Sequence, residues 1–212
     1  MARDLTNKCK LCRRAGEKLF LKGERCGTPK CAIIRRAYPP GVHGAKGKRN
    51  PSEFGQQLAM KQKMKRVYGV LERQFKKYFV AVKEKPGITG DLLLQKLELR
   101  LDNAIYRAGF APNRRLARQL VRHSHFLVNG KRVNIPSYEV KVGDEVAVKE
   151  NKANKNYFQQ IREIIKEKKA GDAPGWIELL PEKNAFKIKS LPARENIDLN
   201  LDAQMVVEFY SR

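Results

Sequence analysis

Apolar positions recur at three- and four-residue steps over much of the central chain and at two-residue steps in a few short runs, which predicts helices joined to a small amount of sheet. A helix is expected from an N-cap at Ser52 through Leu58, Met60, Met64 and Val67, interrupted at Gly69. A second carries Val70, Leu71, Phe75, Tyr78, Phe79 and Val82 and stops at Pro86-Gly87. A third begins at Thr89, runs along Leu92, Leu93, Leu97, Leu101, Ile105 and Tyr106, and ends near Gly109. Asn113 caps a short helix whose apolar side holds Leu116, Leu120 and Val121. Phe126-Leu127-Val128 and Val133 flank Asn129-Gly130, a strong hairpin signal. Val140, Val142, Val146 and Val148 alternate around Gly143-Asp144 and suggest two more short strands. Residues 152–169 read as an amphipathic helix with Tyr157, Phe158, Ile161, Ile164 and Ile165 inward. Strands are expected at Trp176 to Leu180, Ala185 to Leu191 and Met205 to Tyr210.

The fold class that follows is α+β: a helical body with an N-terminal extension and an inserted small α+β module. The boundaries are a basic four-cysteine extension at 1–50 and a helical body at 51–98, completed by the C-terminal segment. The module takes 99–161, and 162–212 hold a helix end, short strands and the tail.

Charge changes the picture most. Lys and Arg total 45 against 22 Asp and Glu, a formal net charge of +23. Self-repulsion on this scale opposes compact folding and argues for a polyanionic partner. A membrane partner fits poorly, since no long apolar run or basic amphipathic anchor stands out. The N-terminus has no apolar stretch that would make a signal peptide, so the cytoplasm is the expected compartment.

The first thirty-one residues hold all four cysteines, Cys9, Cys12, Cys26 and Cys31, as two close pairs around a cationic loop. Such pairs can converge on one tetrahedral metal site. A reducing compartment favours metal over disulfides. Zn2+ is the first choice, with a 4Fe-4S cluster taking the same ligand set as the alternative. Residues 1–50 have little apolar content, so coordination would replace missing burial. Four thiolates around a divalent ion leave about −2, which Arg13, Arg14, Lys18, Lys22 and Arg25 would offset. The irregular cationic stretch after Cys31, with Arg35, Arg36, Lys46, Lys48 and Arg49, reads as a linker or as an arm that orders along nucleic acid.

On the short helix Arg114, Arg115, Arg118 and Arg122 crowd about three turns, so an anion is expected beside them. With Lys131 and Arg132 on the hairpin they are the leading phosphate ligands. Gln119, His123, Ser137 and Tyr138 could add hydrogen bonds or stacking, and Arg66 and Arg73 extend the basic set on the helical body. For each of these a solvated surface is the plain alternative.

Arg100-Leu101-Asp102-Asn103, Arg114-Arg115-Leu116-Ala117-Arg118-Gln119-Leu120-Val121, His123, Val128-Asn129-Gly130-Lys131-Arg132-Val133 and Pro136-Ser137-Tyr138 together resemble the small RNA-binding fold named after the fourth protein of the small ribosomal subunit. Cys9-Lys10-Leu11-Cys12-Arg13-Arg14, Lys22-Gly23-Glu24-Arg25-Cys26, Tyr38-Pro39-Pro40-Gly41, Lys61-Gln62-Lys63, Tyr68-Gly69-Val70 and Glu208-Phe209-Tyr210-Ser211-Arg212 extend the resemblance over essentially the whole chain, to the cysteine-containing form of that bacterial ribosomal family. The resemblance implies a structural protein that binds the 5′ domain of 16S rRNA at a helix junction early in subunit assembly. It also implies ribosomal proteins five and three as neighbours, a place on the mRNA entrance channel and an influence on decoding accuracy; some members repress their own operon. Two rival classes are an RNA-modifying enzyme carrying the same module and a zinc-finger nucleic-acid-binding regulator. Against the first stand the lack of a Gly-rich phosphate loop, an acid-pair motif or a nucleophile signature, and the little chain left outside the module. Against the second, no recognition helix follows the cysteines, and the cations spread over the whole chain.

Overall fold

Three of the described helices start where a side-chain oxygen takes up free backbone amides. In the computed structural model, which describes residues 4–46, 50–167, 173–197 and 201–212, Ser52 accepts from the Gly55 amide at 3.3 Å, Asn113 from Leu116 at 2.9 Å and Asp202 from Gln204 at 3.0 Å. The described chain divides into two units, Met1–Leu93 with Leu199–Arg212, and Leu94–Asp198. No helix among the described residues is long and apolar enough to cross a membrane.

The first unit begins with α1 (Lys8–Ala15), a 3-10 turn at Gly23–Cys26, α2 (Ala32–Arg35) and a second 3-10 turn at Val42–Lys46. Then come α3 (Glu53–Val67), α4 (Glu72–Lys83) and the start of α5 (Thr89–Glu98). Gly69, at φ 62°, turns the chain between α3 and α4. The tail is α10 (Ala203–Ser211), a helix where alternation suggested a strand. The physical reason is packing: Ala203 and Val206, one turn apart, are fully buried, and α10 lies along α3. Tyr210, one turn further, stacks on Phe79 at 4.6 Å. An added Cβ on Gly90 would stand 3.0 Å from the Ala203 Cβ, so glycine permits the close approach there.

The second unit holds the end of α5, then α6 (Leu101–Arg107), α7 (Arg114–Arg122), β1 (Phe126–Val128), β2 (Lys131–Arg132), β3 (Glu145–Val148), α8 (Glu150–Ala153), α9 (Asn156–Glu167), β4 (Ile177–Leu180) and β5 (Ala185–Ile188). The strands form one antiparallel sheet in the order β2-β1-β3-β5-β4. Register pairs Val128 with Val146 and Val146 with Phe186, so the buried residues of successive strands share a face. Ala117, Leu120, Val121, Phe158, Ile161 and Ile165 from the helices complete that core. The unit takes in more chain than a module at 99–161 would: α9 runs through 161, and β4 and β5 belong to its sheet.

Three expectations change here. The helix expected from Thr89 to Gly109 breaks at Leu99–Arg100, because Arg100 is extended and its neighbours' backbones bond elsewhere. The Val140 amide donates to the Leu99 carbonyl at 2.9 Å, and Leu101 donates to Tyr138 at 2.8 Å. Those bonds also absorb the segment around Val140, so only Glu145–Val148 becomes a strand there, and it pairs with β1 and β5. The helix expected at 152–169 is two pieces, and Ile164 on the second is 49% exposed. Its last two residues, 168 and 169, lie outside the described residues.

Glu72 ties the first unit together. It accepts from Lys61 at 2.8 Å, Lys65 at 3.1 Å and the Tyr210 hydroxyl at 2.9 Å. Burial alone would raise its carboxyl, but the hydrogen bonds from Lys61, Tyr210 and Lys65 outweigh it and hold the group at about 2 against an ordinary 4.5. The Tyr210 hydroxyl is raised in turn, by burial first and by Glu72 second. A depressed carboxyl stabilises the fold fully above pH 4.5, and that support is lost as pH falls from 4.5 through about 2. Amide exchange in α10, corrected for the intrinsic rate, should therefore rise across this window. Tyr210→Phe keeps the ring but drops the hydroxyl, so it should cost about 1 kcal/mol, given the partly exposed carboxylate, and end the rise at higher pH, since the Glu72 carboxyl then lies nearer its ordinary value. Exchange in α10 that ignores pH there would contradict the clamp.

Candidate nucleic-acid interface

α7 gathers its four arginines into two rows. Arg115 and Arg122 are exposed, with Gln119 between them, at positions i, i+4 and i+7. Arg114 and Arg118, also one turn apart, turn inward: the Arg118 side chain is only 12% exposed. His123, the C-cap of α7, is exposed. The hairpin brings Lys131 and Arg132 to the surface as expected. Asn129 and Gly130 both adopt positive φ, 49° and 75°, as a tight hairpin turn requires. Asn129 is clasped from the side, donating to Asp144 at 2.8 Å and accepting from the Glu145 amide at 2.9 Å. Ser137 and Tyr138 are half-buried, and Tyr138 packs against the core. His125 is half-buried beside Phe158, 5.6 Å between ring centroids, and its pKa is lowered by burial and then by Lys155, Lys152 and His123.

The inner row meets buried acids. Asp102, 4% exposed, receives Arg100 through Nε at 3.1 Å and Nη2 at 2.8 Å, and Arg118 through Nε at 2.9 Å and Nη2 at 2.8 Å. Glu98, with no exposed side-chain surface, receives Arg107 at 3.0 and 2.9 Å and the Asn103 amide at 2.7 Å. Asn103 also donates to the Glu98 carbonyl and accepts from Arg114 Nε at 2.7 Å. The Arg114 guanidinium lies 4.4 Å over the Tyr106 ring. Glu98, Asp102 and Asn103 are absent from the site residues expected above. What marks them in sequence is a pair of acids four apart inside an otherwise apolar stripe.

In the first unit, Arg14, Arg35, Arg36, Lys46 and Arg73 are exposed. Arg13 instead holds the loop, donating to the Tyr38 and Pro39 carbonyls at 2.9 and 3.2 Å, with its guanidinium 4.8 Å over the Tyr38 ring. Arg66 is half-buried; burial first, then Arg14, lower its pKa, with Asp4 opposing. Lys48 and Arg49 lie outside the described residues. The four cysteines line one small cavity of about 20 Å³, together with Leu21, Ile33, Lys22 and Arg25. Cys12, Cys26 and Cys31 are buried and Cys9 is half-buried. Burial pushes the Cys12 thiol up, with the other three cysteines adding to the effect. Among the described residues, no three His, Cys, Asp or Glu side chains are arranged to hold a metal ion.

Removing Glu98 tests the buried lattice. Glu98→Ala would leave Arg107 and Asn103 facing an uncompensated gap, so a loss of about 3–5 kcal/mol is expected, read as raised amide exchange across 94–198. Unchanged exchange would show that the lattice carries no such weight.

Comparison with known proteins bears on the whole chain. Residues 3–98 match the family described as "Ribosomal protein S4/S9 N-terminal domain", and residues 99–146 match the "S4 domain". The chain is similar to the small ribosomal subunit protein uS4 of Acetivibrio thermocellus, 55% identical over the full length of both chains. It is 53% identical to that of Ruminiclostridium cellulolyticum and 50% to that of Thermus thermophilus, again over all of each chain. With identity of that order along its whole length, and with the cationic helix and hairpin built on the module the family shares, this chain belongs to the uS4 family of small-subunit ribosomal proteins.

Proposed function

We propose that the chain is a primary 16S rRNA-binding protein of the cytoplasmic 30S subunit, which nucleates assembly of the 5′ domain. The observation that carries this is the outward row of Arg115, Gln119 and Arg122, continued by His123 and flanked in the same unit by the exposed Lys131 and Arg132. A cationic surface on a helix and a hairpin suits the phosphate backbone and shape of folded RNA. The protein works by binding and holding, as a structural component and not an enzyme. Contacts with ribosomal proteins five and three, a place on the mRNA entrance channel and an effect on decoding accuracy follow from membership in the family and form part of the same proposal.

Affinity should rest chiefly on phosphate neutralisation and fall steeply with salt. Arg115→Ala with Arg122→Ala should lower the magnitude of the slope of log Kobs against log salt by about two units, slightly less than one for each lost contact. Binding of a 5′-domain RNA fragment across a salt series measures it. An unaltered slope would mean that the outer row is merely solvated, and equal affinity for duplex DNA at matched salt would overturn the rRNA reading.

The cysteines are proposed to hold one Zn2+. Four thiols are the donor set of a closed structural zinc site, and all four line one small cavity; the ion would draw them into tetrahedral contact, since no three are so arranged among the described residues. The ion would knit α1, the Gly23–Cys26 turn and the start of α2. Native mass spectrometry should find one zinc per chain. Cys9→Ser with Cys12→Ser should abolish it and raise amide exchange in residues 4–46 while residues 94–198 keep their protection. A brown, iron-containing protein would replace zinc by a cluster, and unchanged exchange would remove the bracing role.

A further inference from the structure

The cationic helix α7 could meet a polyanion with either of two faces. The row Arg114/Arg118 and the row Arg115/Gln119/Arg122 are offset by one residue, roughly 100° around the helix axis. Both rows are rich in arginine, and either could grip phosphates. The buried side of α7, Ala117, Leu120 and Val121, turns the second row toward solvent, and α6 holds the first. Asp102 takes both Arg118 nitrogens, Nε and Nη2, on one carboxylate oxygen. Asn103 is itself locked, because its amide donates to the Glu98 carbonyl and carboxylate. That leaves its oxygen turned to Arg114. Adjacent residues in the first turn of α6 therefore hold both members of one row.

A stability role alone explains this poorly. Buried ionic clusters are often no more stabilising than apolar packing of the same volume, and their best-attested use is to fix register. We propose that Asp102 and Asn103 are positioning residues for RNA binding. By holding Arg118 and Arg114 they complete the rotation of α7 that its buried Ala117, Leu120 and Val121 begin, so that Arg115, Gln119 and Arg122 meet the phosphates and the inner pair does not. The proposal rests on the rRNA-binding reading above and adds to it the residues that select the binding face.

The test is the reactivity of each arginine toward phenylglyoxal, read by mass spectrometry on the full chain, free and bound to a 16S 5′-domain fragment, together with the salt slope. In the wild type, Arg115 and Arg122 should react when free and be shielded by RNA, and Arg118 should stay unreactive in both states. Asp102→Asn should make Arg118 reactive, reduce RNA shielding of Arg115 and Arg122, and lower the slope's magnitude by about two units. Should that variant not fold, Arg118→Gln leaves Asp102 paired with Arg100 and should lose the same two units. A loss of about one unit, with Arg115 and Arg122 still shielded, would mean that Arg118 itself touches phosphate and would overturn the proposal. So would an Arg118 that reacts in the free wild type and is shielded by RNA, or an Asp102→Asn variant with unchanged slope. Absence of salt-dependent RNA binding by the wild type would instead sink the rRNA reading itself.

Discussion

Arginines in this chain must be both buried and displayed, and the second unit depends on how it separates the two. With 45 basic and 22 acidic residues, carboxylates are scarce. The unit spends Glu98 and Asp102 in its interior, Glu98 on the Arg107 guanidinium with the Asn103 amide, and Asp102 on the guanidiniums of both Arg100 and Arg118. An unpaired guanidinium could not be buried there, because its desolvation would go uncompensated. Paired, the same groups bind α5, α6 and α7 into one body. Arg115 and Arg122 then stay outside, with no acid among the described residues paired to them.

The first unit solves a related problem with less core. Its helices meet around Glu72, where two lysines and a tyrosine hydroxyl converge on one carboxylate. Lys61 is 6% exposed and also lies 4.3 Å over the Phe209 ring. Cation, ring and carboxylate thus satisfy one another where the C-terminal helix docks. Nearer the N-terminus the apolar share is smaller still; Arg13 holds the loop at Tyr38 and Pro39, and the four cysteines line one cavity.

Much of the fold was legible in the sequence where a single local rule decides. Ser52 and Asn113 cap helices because their side chains reach the amide three residues on. Asn129-Gly130 makes a hairpin because both residues tolerate positive φ. The failures share a cause. Leu99 and Arg100 are good helix formers, and only the bonds of that segment to Tyr138 and Val140 break the helix there. Met205 to Tyr210 carries a strand-like composition, overridden by packing on α3. The binding face shows the same limit. Four arginines on one helix announce a polyanion, but the residues that hold the inner pair sit on another helix, where composition does not reveal them.

On the proposal above, one arginine row of α7 belongs to the protein and the other to the RNA. A cryo-electron microscopy structure of the chain on its 16S 5′-domain RNA, at side-chain resolution, tests it most directly. The claim predicts Arg115 and Arg122 within hydrogen-bond distance of phosphate oxygens, with Arg118 still on Asp102. Arg118 on a phosphate, with Asp102 released, would contradict it.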